Sequence, residues 1–297
     1  MEGDGAAILV FDVGGSHIAA SVFDTRSAEV GAIRELPVSP DGESEKFFKA
    51  FESLASAIRP ALASPAGIAV AVPSPFDFER GVSLMQHKFQ SLYRMDLRGE
   101  LSRRLSCPPG KIHFLNDAAA SLLGEIQKGA AVGVNRAVGI MLGTGVGSAF
   151  ALGGKIVAEG QGVPPGGEIW NQAYGSGIVE DFVSTMAIRR IFEQLTGRKA
   201  EVREIASSAA QQAQARQTFE NFGRELGKVL RHTCLPFAPE RIVLGGGIAR
   251  SAALFFPAAE EALADDRVQL RVSELFERAP LIGAGASWTK SFGAIHQ

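Results

Sequence analysis

The stretch ILVFDVGGSHIAASVFD, residues 8–24, decides how the rest of the chain is read. An apolar run reaches Asp12 and Val13, breaks at Gly14-Gly15-Ser16, and resumes from Ile18 to Asp24. Runs rich in Val, Ile and Phe around a glycine pair predict two strands, 7–13 and 18–24, joined by a tight turn. Such a hairpin has two explanations. It is an ordinary turn, or its backbone N–H groups hold a phosphate. EVGAIRELPV (29–38) continues as a third strand. Three strands with no helix between them do not open a Rossmann domain, where a helix follows the first strand.

Working outward, SEKFFKAFESLASAI (44–58) has apolar residues at 47, 48, 51, 54, 55 and 58, the helical spacing. AGIAVAVPSP (66–75) is a strand stopped by Pro73 and Pro75. KIHFL (111–115) is a short strand that runs into NDAAASLLGEIQKG (116–129). There Ala118, Leu122, Leu123 and Ile126 form a helix face, with Asn116 or Asp117 as its cap. The second half then repeats the opening. NRAVGIMLGTGVGSAFALGGKI (135–156) is again strand, glycine turn, strand and short turn, an internal repeat of architecture. The repeat sets a domain boundary near 115–135. The expected domains are 1–115, with a closing helix at 283–297, and 116–282. Helical patterns fill 176–235. RIVLGGGIARSAALFFPAAEEAL (241–263) gives a strand, three glycines and a helix, QLRVSEL (269–275) a last strand, and LIGAGASWTKSF (281–292) a last helix.

Composition excludes several classes. The 297 residues are 46% hydrophobic and 21% charged, enough to bury a large core. Net charge is −2, so no field of one sign points to nucleic acid or an anionic membrane. Cys107 and Cys234 stand far apart, outside any CxxC pattern. They form neither a disulfide framework nor a thiolate zinc site. The N-terminal residues carry acids where a signal peptide carries basic residues, and no apolar run reaches membrane-helix length. A cytoplasmic protein is expected, with no membrane partner.

Three glycine-rich turns follow apolar strands: Gly14-Gly15-Ser16, Gly143-Thr144-Gly145-Val146-Gly147 and Gly245-Gly246-Gly247. Each can present several N–H groups to an anion, and a helix start after the third adds to that potential. The phosphate-loop motif GxxxxGK[ST] and the dinucleotide motif GxGxxG are absent from the sequence. Asp12, at the mouth of the first turn, suits a magnesium ion beside a polyphosphate, or caps the turn. Asp117 caps a helix, or serves as the base that takes a proton from an attacking hydroxyl. Asp24 reads as the cap of the next turn. His17, His113 and His232 read as structural.

The motifs FDVGGSHIAASVFD, LNDAAASLLGE, GIMLGTGVGSAFALGGKI, GGEIW and IVLGGGIARS resemble, in order and spacing, the ROK family of repressors and sugar kinases. This family belongs to the actin/hexokinase/Hsp70 superfamily. The resemblance runs from about residue 8 to 286 and implies an α/β actin-like (ribonuclease H-like) fold. That fold has two domains, each with a mixed five-stranded sheet and flanking helices, around a central cleft. It implies ATP and Mg²⁺ as cofactors, a sugar as substrate, and a homodimer. By resemblance Asp12, Gly14, Gly15 and Ser16 form the first phosphate motif, with Asp12 holding Mg²⁺ through water. Gly143, Thr144, Gly145 and Gly147 form the second phosphate motif, and Gly245, Gly246 and Gly247 the adenosine motif. Asn116 and Asp117 hold sugar hydroxyls, with Asp117 the catalytic base. Glu168 and Glu180 contact the sugar. The implied reaction is transfer of the ATP γ-phosphoryl to a hexose, glucose 6-OH first. A polyphosphate donor, another sugar such as fructose or an N-acetylhexosamine, or a sugar-binding protein without catalysis are the alternatives. Repressors of the family carry an added N-terminal helix-turn-helix, so that class is not expected.

The sequence departs from the family at two places. In GGEIWNQAYGSGIVEDFVS, Asn171 stands where the family has a histidine, and no cysteine follows, so the family's zinc site is not expected. Asn171 still offers hydrogen bonds to a sugar hydroxyl. Trp170 reads as core in preference to a ligand contact. MQHKFQSLYRMDL (85–97) replaces a sugar-side segment of the family. His87, Lys88 and Gln90 read as a solvated loop.

Overall fold

The computed structural model describes residues 7–58, 65–86 and 88–292. They divide into two compact units, one drawn from Met1–Lys128 and Glu277–Gln297, the other from Gly129–Phe276.

In the first unit, β1 (Ala7–Val13) and β2 (His17–Asp24) form the expected hairpin, with Asp12 opposite Ala19. Residues 29–38 are two short strands, β3 (Glu29–Val30) and β4 (Arg34–Pro37), both paired with β2. Gly31 separates them, and its N–H is held by the Val22 carbonyl at 2.9 Å. α1 (Ser44–Ile58) is followed by β5 (Ile68–Val72), parallel to β1. The small hairpin of β6 (Phe76–Asp77) and β7 (Val82–Ser83) precedes α2 (Leu97–Leu105). β8 (Ile112–Asn116), parallel to β5, runs directly into α3 (Asp117–Lys128). The sheet order is β3-β2-β1-β5-β8, with β4 as an additional edge on β2. Period-2 alternation puts Leu9, Phe11, Val13, Ile68, Val70 and Val72 in one core with Phe47, Phe48 and Phe51 of α1 and Leu101 of α2.

In the second unit, β9 (Arg136–Leu142), β10 (Val146–Leu152) and β11 (Lys155–Val157) repeat the meander. A short hairpin, β12 (Ala173–Tyr174) with β13 (Gly177–Ile178), leads into α4 (Val179–Val183) and α5 (Thr185–Thr196). Then come α6 (Val202–Ser208), α7 (Ala213–Thr233), β14 (Arg241–Gly245), α8 (Phe256–Leu263) and β15 (Gln269–Val272). The order is β11-β10-β9-β14-β15. Both sheets thus run antiparallel, antiparallel, parallel, parallel across their five-strand path. The repeat read from two hairpins extends to a whole sheet. α7 buries Phe219, Phe222, Leu226, Val229 and Leu230 at helical spacing, each stabilising the unit by about 1.5–3 kcal/mol relative to exposure.

The closing helix α9 (Arg278–Phe292) returns to the first unit. It packs on α3 through small residues: a methyl group on Gly124 would strike the Ala279 backbone, and one on Gly283 the Ala120 backbone. That close approach assigns α3 to the first unit. The division falls at Lys128/Gly129, not at 115/116, and the closing helix begins at Arg278, not at 283. Residues 293–297 lie outside the described residues. The helix expected after Gly245-Gly246-Gly247 is instead a seven-residue 3-10 segment, Ile248–Leu254, broken at Ser251. α8 starts afresh at Phe256 with Pro257 in its first turn, where the missing proline N–H costs nothing.

Candidate active site

The sequence-predicted residues of the first unit gather at the carboxyl ends of its parallel strands, where α/β sheets place ligands. Asp12 sits near the end of β1, in register with Ala19 of β2 on one side and Ala71 of β5 on the other. Asn116 ends β8, opposite Val72 of β5, and Asp117 opens α3. Asp12 and the β8 end are two strands apart, about 10 Å across the sheet. Glu35, which sequence reading did not single out, stands opposite Ala19 and so shares Asp12's row. Only the β2–β4 register brings it there. Burial, then Asp117, then Glu35 push the Asp12 carboxyl up to about 7. Three carboxylates therefore share one side of this unit, an excess of negative charge.

Asn116 caps α3: its Oδ1 accepts the Ala119 N–H at 3.0 Å, and its Nδ2 donates to Ser74 Oγ at 3.1 Å. Asp117 accepts the Ala118 N–H at 2.8 Å. Asp24 caps the turn after β2, accepting from Arg26 and Ser27 at 2.8 and 2.9 Å. His113 is half-buried and bonds Ser287 Oγ at 2.9 Å, a structural role. Lys88 is half-buried and Gln90 exposed; His87 lies outside the described residues.

The turns are tighter than the motifs suggest. The first closes with the Gly14 N–H on the His17 carbonyl at 2.9 Å, the second with the Gly143 N–H on the Gly145 carbonyl at 3.0 Å. The first glycine's amide is used inside each turn, which leaves Gly15 and Ser16, and Thr144 and Gly145, as the donors for an anion. Glycine is not needed at three of these positions for internal reasons. A methyl group at Gly15 or Gly247 would meet nothing within 4 Å, and at Gly143 only the Gly145 carbonyl at 3.9 Å. None of the three has a left-handed φ. The open space fits a ligand's close approach to bare backbone. Gly246 differs: its φ is +83°, and a side chain would strike the Leu142 backbone. That contact sets the third turn directly beside the second, at the ends of the parallel neighbours β9 and β14.

In the same unit Ser148 of β10, buried, donates to the Gly167 carbonyl at 2.7 Å and accepts the Ile169 N–H at 3.0 Å. It clamps the segment that carries Glu168. Trp170 is not core: it is 38% exposed, and its indole donates to Glu168 Oε2 at 2.9 Å. The Ile169 side chain takes the buried place instead. Asn171 is exposed beside it. Glu180, expected at the sugar, accepts the Val146 N–H of the second turn at 2.9 Å. Trp170 was read as core, and the clamp made by Ser148 was not foreseen, since a single side-chain hydrogen bond leaves no periodic signal in the sequence.

Among the described residues no three His, Cys, Asp or Glu side chains converge as a metal cage. The Asp12 carboxylate fits a hard divalent cation, which takes one or two carboxylates and completes its shell with water and phosphate oxygens. No helix among the described residues is long and apolar enough to cross a membrane.

Two α/β units with the same sheet order, each with a glycine turn between its first two strands, define an actin-like fold. The chain belongs to the ROK family, whose model matches residues 8–290. The glucokinase of Thermotoga maritima is 27% identical over 251 residues, 74% of this chain and 78% of that protein. An N-acetylgalactosamine kinase of a Shewanella species is 24% identical over 260 residues, 80% of each. The structure of a ROK family glucokinase from Streptomyces griseus, in complex with glucose and AMPPNP, superposes with a TM-score of 0.79 at 20% identity. It covers 94% of this chain and 98% of that one.

Proposed function

We propose that the chain is a sugar kinase that transfers the γ-phosphoryl group of ATP to a hexose hydroxyl, with the 6-hydroxyl of glucose as the first substrate to test. The observation that carries this reading is that Asp12 and Asp117 stand at the carboxyl ends of two parallel strands, β1 and β8, with β5 between them, and that the Asp12 carboxyl is pushed up to about 7 by burial and by Asp117. Asp117 orients the sugar hydroxyl and takes its proton as the bond to phosphorus forms. By the family resemblance, Asn116, Glu168 and Asn171 contact other sugar hydroxyls. The Gly14–Ser16 and Gly143–Gly147 turns receive phosphate oxygens through backbone N–H groups, and Gly245–Gly247 lies along the nucleoside. Mg²⁺ bound near Asp12 would neutralise phosphate charge. The family membership and the glucokinase and N-acetylgalactosamine kinase relatives support the reaction class.

The test is sugar-dependent ADP release from purified protein with Mg²⁺ and ATP, across hexoses and N-acetylhexosamines, with polyphosphate as a second donor. Turnover with one sugar is expected. ATP and polyphosphate both failing with every sugar would sink the reading and favour a binding protein.

A further inference from the structure

Glu180 and the second phosphate turn meet in a way that the sugar-contact role does not use. The peptide unit between Gly145 and Val146 is held at both ends. Its carbonyl accepts the Gly143 N–H at 3.0 Å, and its N–H donates to Glu180 Oε2 at 2.9 Å. The carboxylate lies so close that a methyl group on Gly145 would strike it. The unit two before it, between Gly143 and Thr144, is also held. Its carbonyl accepts both the N–H and the Oγ1 hydroxyl of Thr185, each at 2.9 Å. A trans peptide is planar, and its N–H points opposite to its carbonyl. Fixing the Gly143 carbonyl therefore fixes the direction of the Thr144 N–H, one of the turn's remaining donors. The backbone N–H of Glu180 is in turn bound to the Trp170 carbonyl at 3.0 Å, and the Trp170 indole to Glu168.

We propose that Glu180, together with Thr185, is a positioning residue for the phosphoryl donor: through Oε2 it holds the 143–147 turn in its anion-accepting shape, a role beyond any sugar contact of its other carboxylate oxygen. A charge-assisted bond to a backbone N–H is short and directional, and so sets the plane of a loop peptide more firmly than a neutral one. Preorganised donors stabilise a transferring phosphoryl group because no reorientation accompanies the reaction. The inference rests on the kinase reading above.

The test measures binding apart from turnover. Calorimetry with Mg²⁺ and a non-hydrolysable ATP analogue, and separately with the sugar that the wild type turns over, is run on wild type, Glu180→Ala, Glu180→Gln and Thr185→Val. Glu180→Ala is expected to weaken the analogue, titrated without sugar, by about tenfold or more and to raise the ATP KM in step. Glu180→Gln, whose amide oxygen accepts the same N–H, is expected to keep analogue affinity within about threefold of wild type. Thr185→Val keeps the backbone bond and should lose less than Glu180→Ala. Loss of sugar affinity with intact analogue binding would leave Glu180 a sugar contact alone and overturn the proposal. So would unchanged binding in both titrations, or a Gln variant as weak as the Ala variant. Should Glu180→Ala not fold, Glu180→Asp, one methylene short of the N–H, takes its place with the same expectations. A wild type that turns over no sugar fails the kinase reading itself, a result separate from equal behaviour of wild type and variants.

Discussion

Asn116 is anchored to Ser74: its Nδ2 donates to the Ser74 hydroxyl at 3.1 Å while its Oδ1 caps α3. A flipped amide would set Nδ2 against the Ala119 N–H, two donors face to face, so the cap fixes the amide's orientation and Asp117 next to it starts the helix from a held residue. Asn116→Ala removes the cap, and unfolding in urea should show a loss of about 1 kcal/mol. Ser74→Ala leaves the cap in place and should cost about half of that or less. Equal losses would show that the cap contributes nothing.

Asp117→Ala should lower kcat by about 100-fold or more, the range for a lost general base, with sugar affinity by calorimetry largely kept. Retained turnover would mean that another group takes the proton.

Asp12 gives a pH signature. Its carboxyl is raised from 3.8 to about 7 by burial and by Asp117 and Glu35. The unfolded chain loses this proton first, so in metal-free buffer the group lowers stability progressively as pH rises from about 4 to about 7. Above that window the penalty is constant, and below it absent. Asp12→Asn removes the penalty. Its stability gain over wild type should open between about pH 4 and 7, to about 1–3 kcal/mol, in denaturant titrations with a chelator, while activity is lost. A gain independent of pH would refute the charge crowding.

The glycines separate into two kinds. Gly15→Ala meets no protein atom within 4 Å at an ordinary φ. It should fold at wild-type stability, or up to about 1 kcal/mol above it, and bind the ATP analogue more weakly. Gly246→Ala forces a side chain into a left-handed φ of +83° and against the Leu142 backbone. It should lose about 2 kcal/mol or more, seen in the melting temperature. Unchanged nucleotide affinity in Gly15→Ala would remove the first turn from the phosphate site.

The strands were legible wherever the apolar run was long. β1, β2, β9 and β10 follow from alternation around glycine turns, because a buried strand has few other ways to bury Ile, Val and Phe. α1 and α7 follow from their apolar stripes. Asp12, Asn116 and Asp117 were visible as polar residues at the ends of apolar runs. The 29–38 strand was read, but its break into β3 and β4 and the 3-10 segment after β14 were not, since a few residues carry no period.

By itself, the sequence determined the order of elements, the duplicated hairpin and the three glycine turns, all local consequences of side-chain period and backbone freedom. Tertiary structure alone decided the rest. Close helix packing at Gly124 and Gly283 placed α3 and α9 in the first unit. Strand register brought Glu35 into the row of Asp12. Long-range hydrogen bonds turned Glu180 to the 143–147 turn and Trp170 outward to Glu168. Each of these depends on which backbone lies opposite which, a relation between segments far apart in the chain that no local pattern encodes.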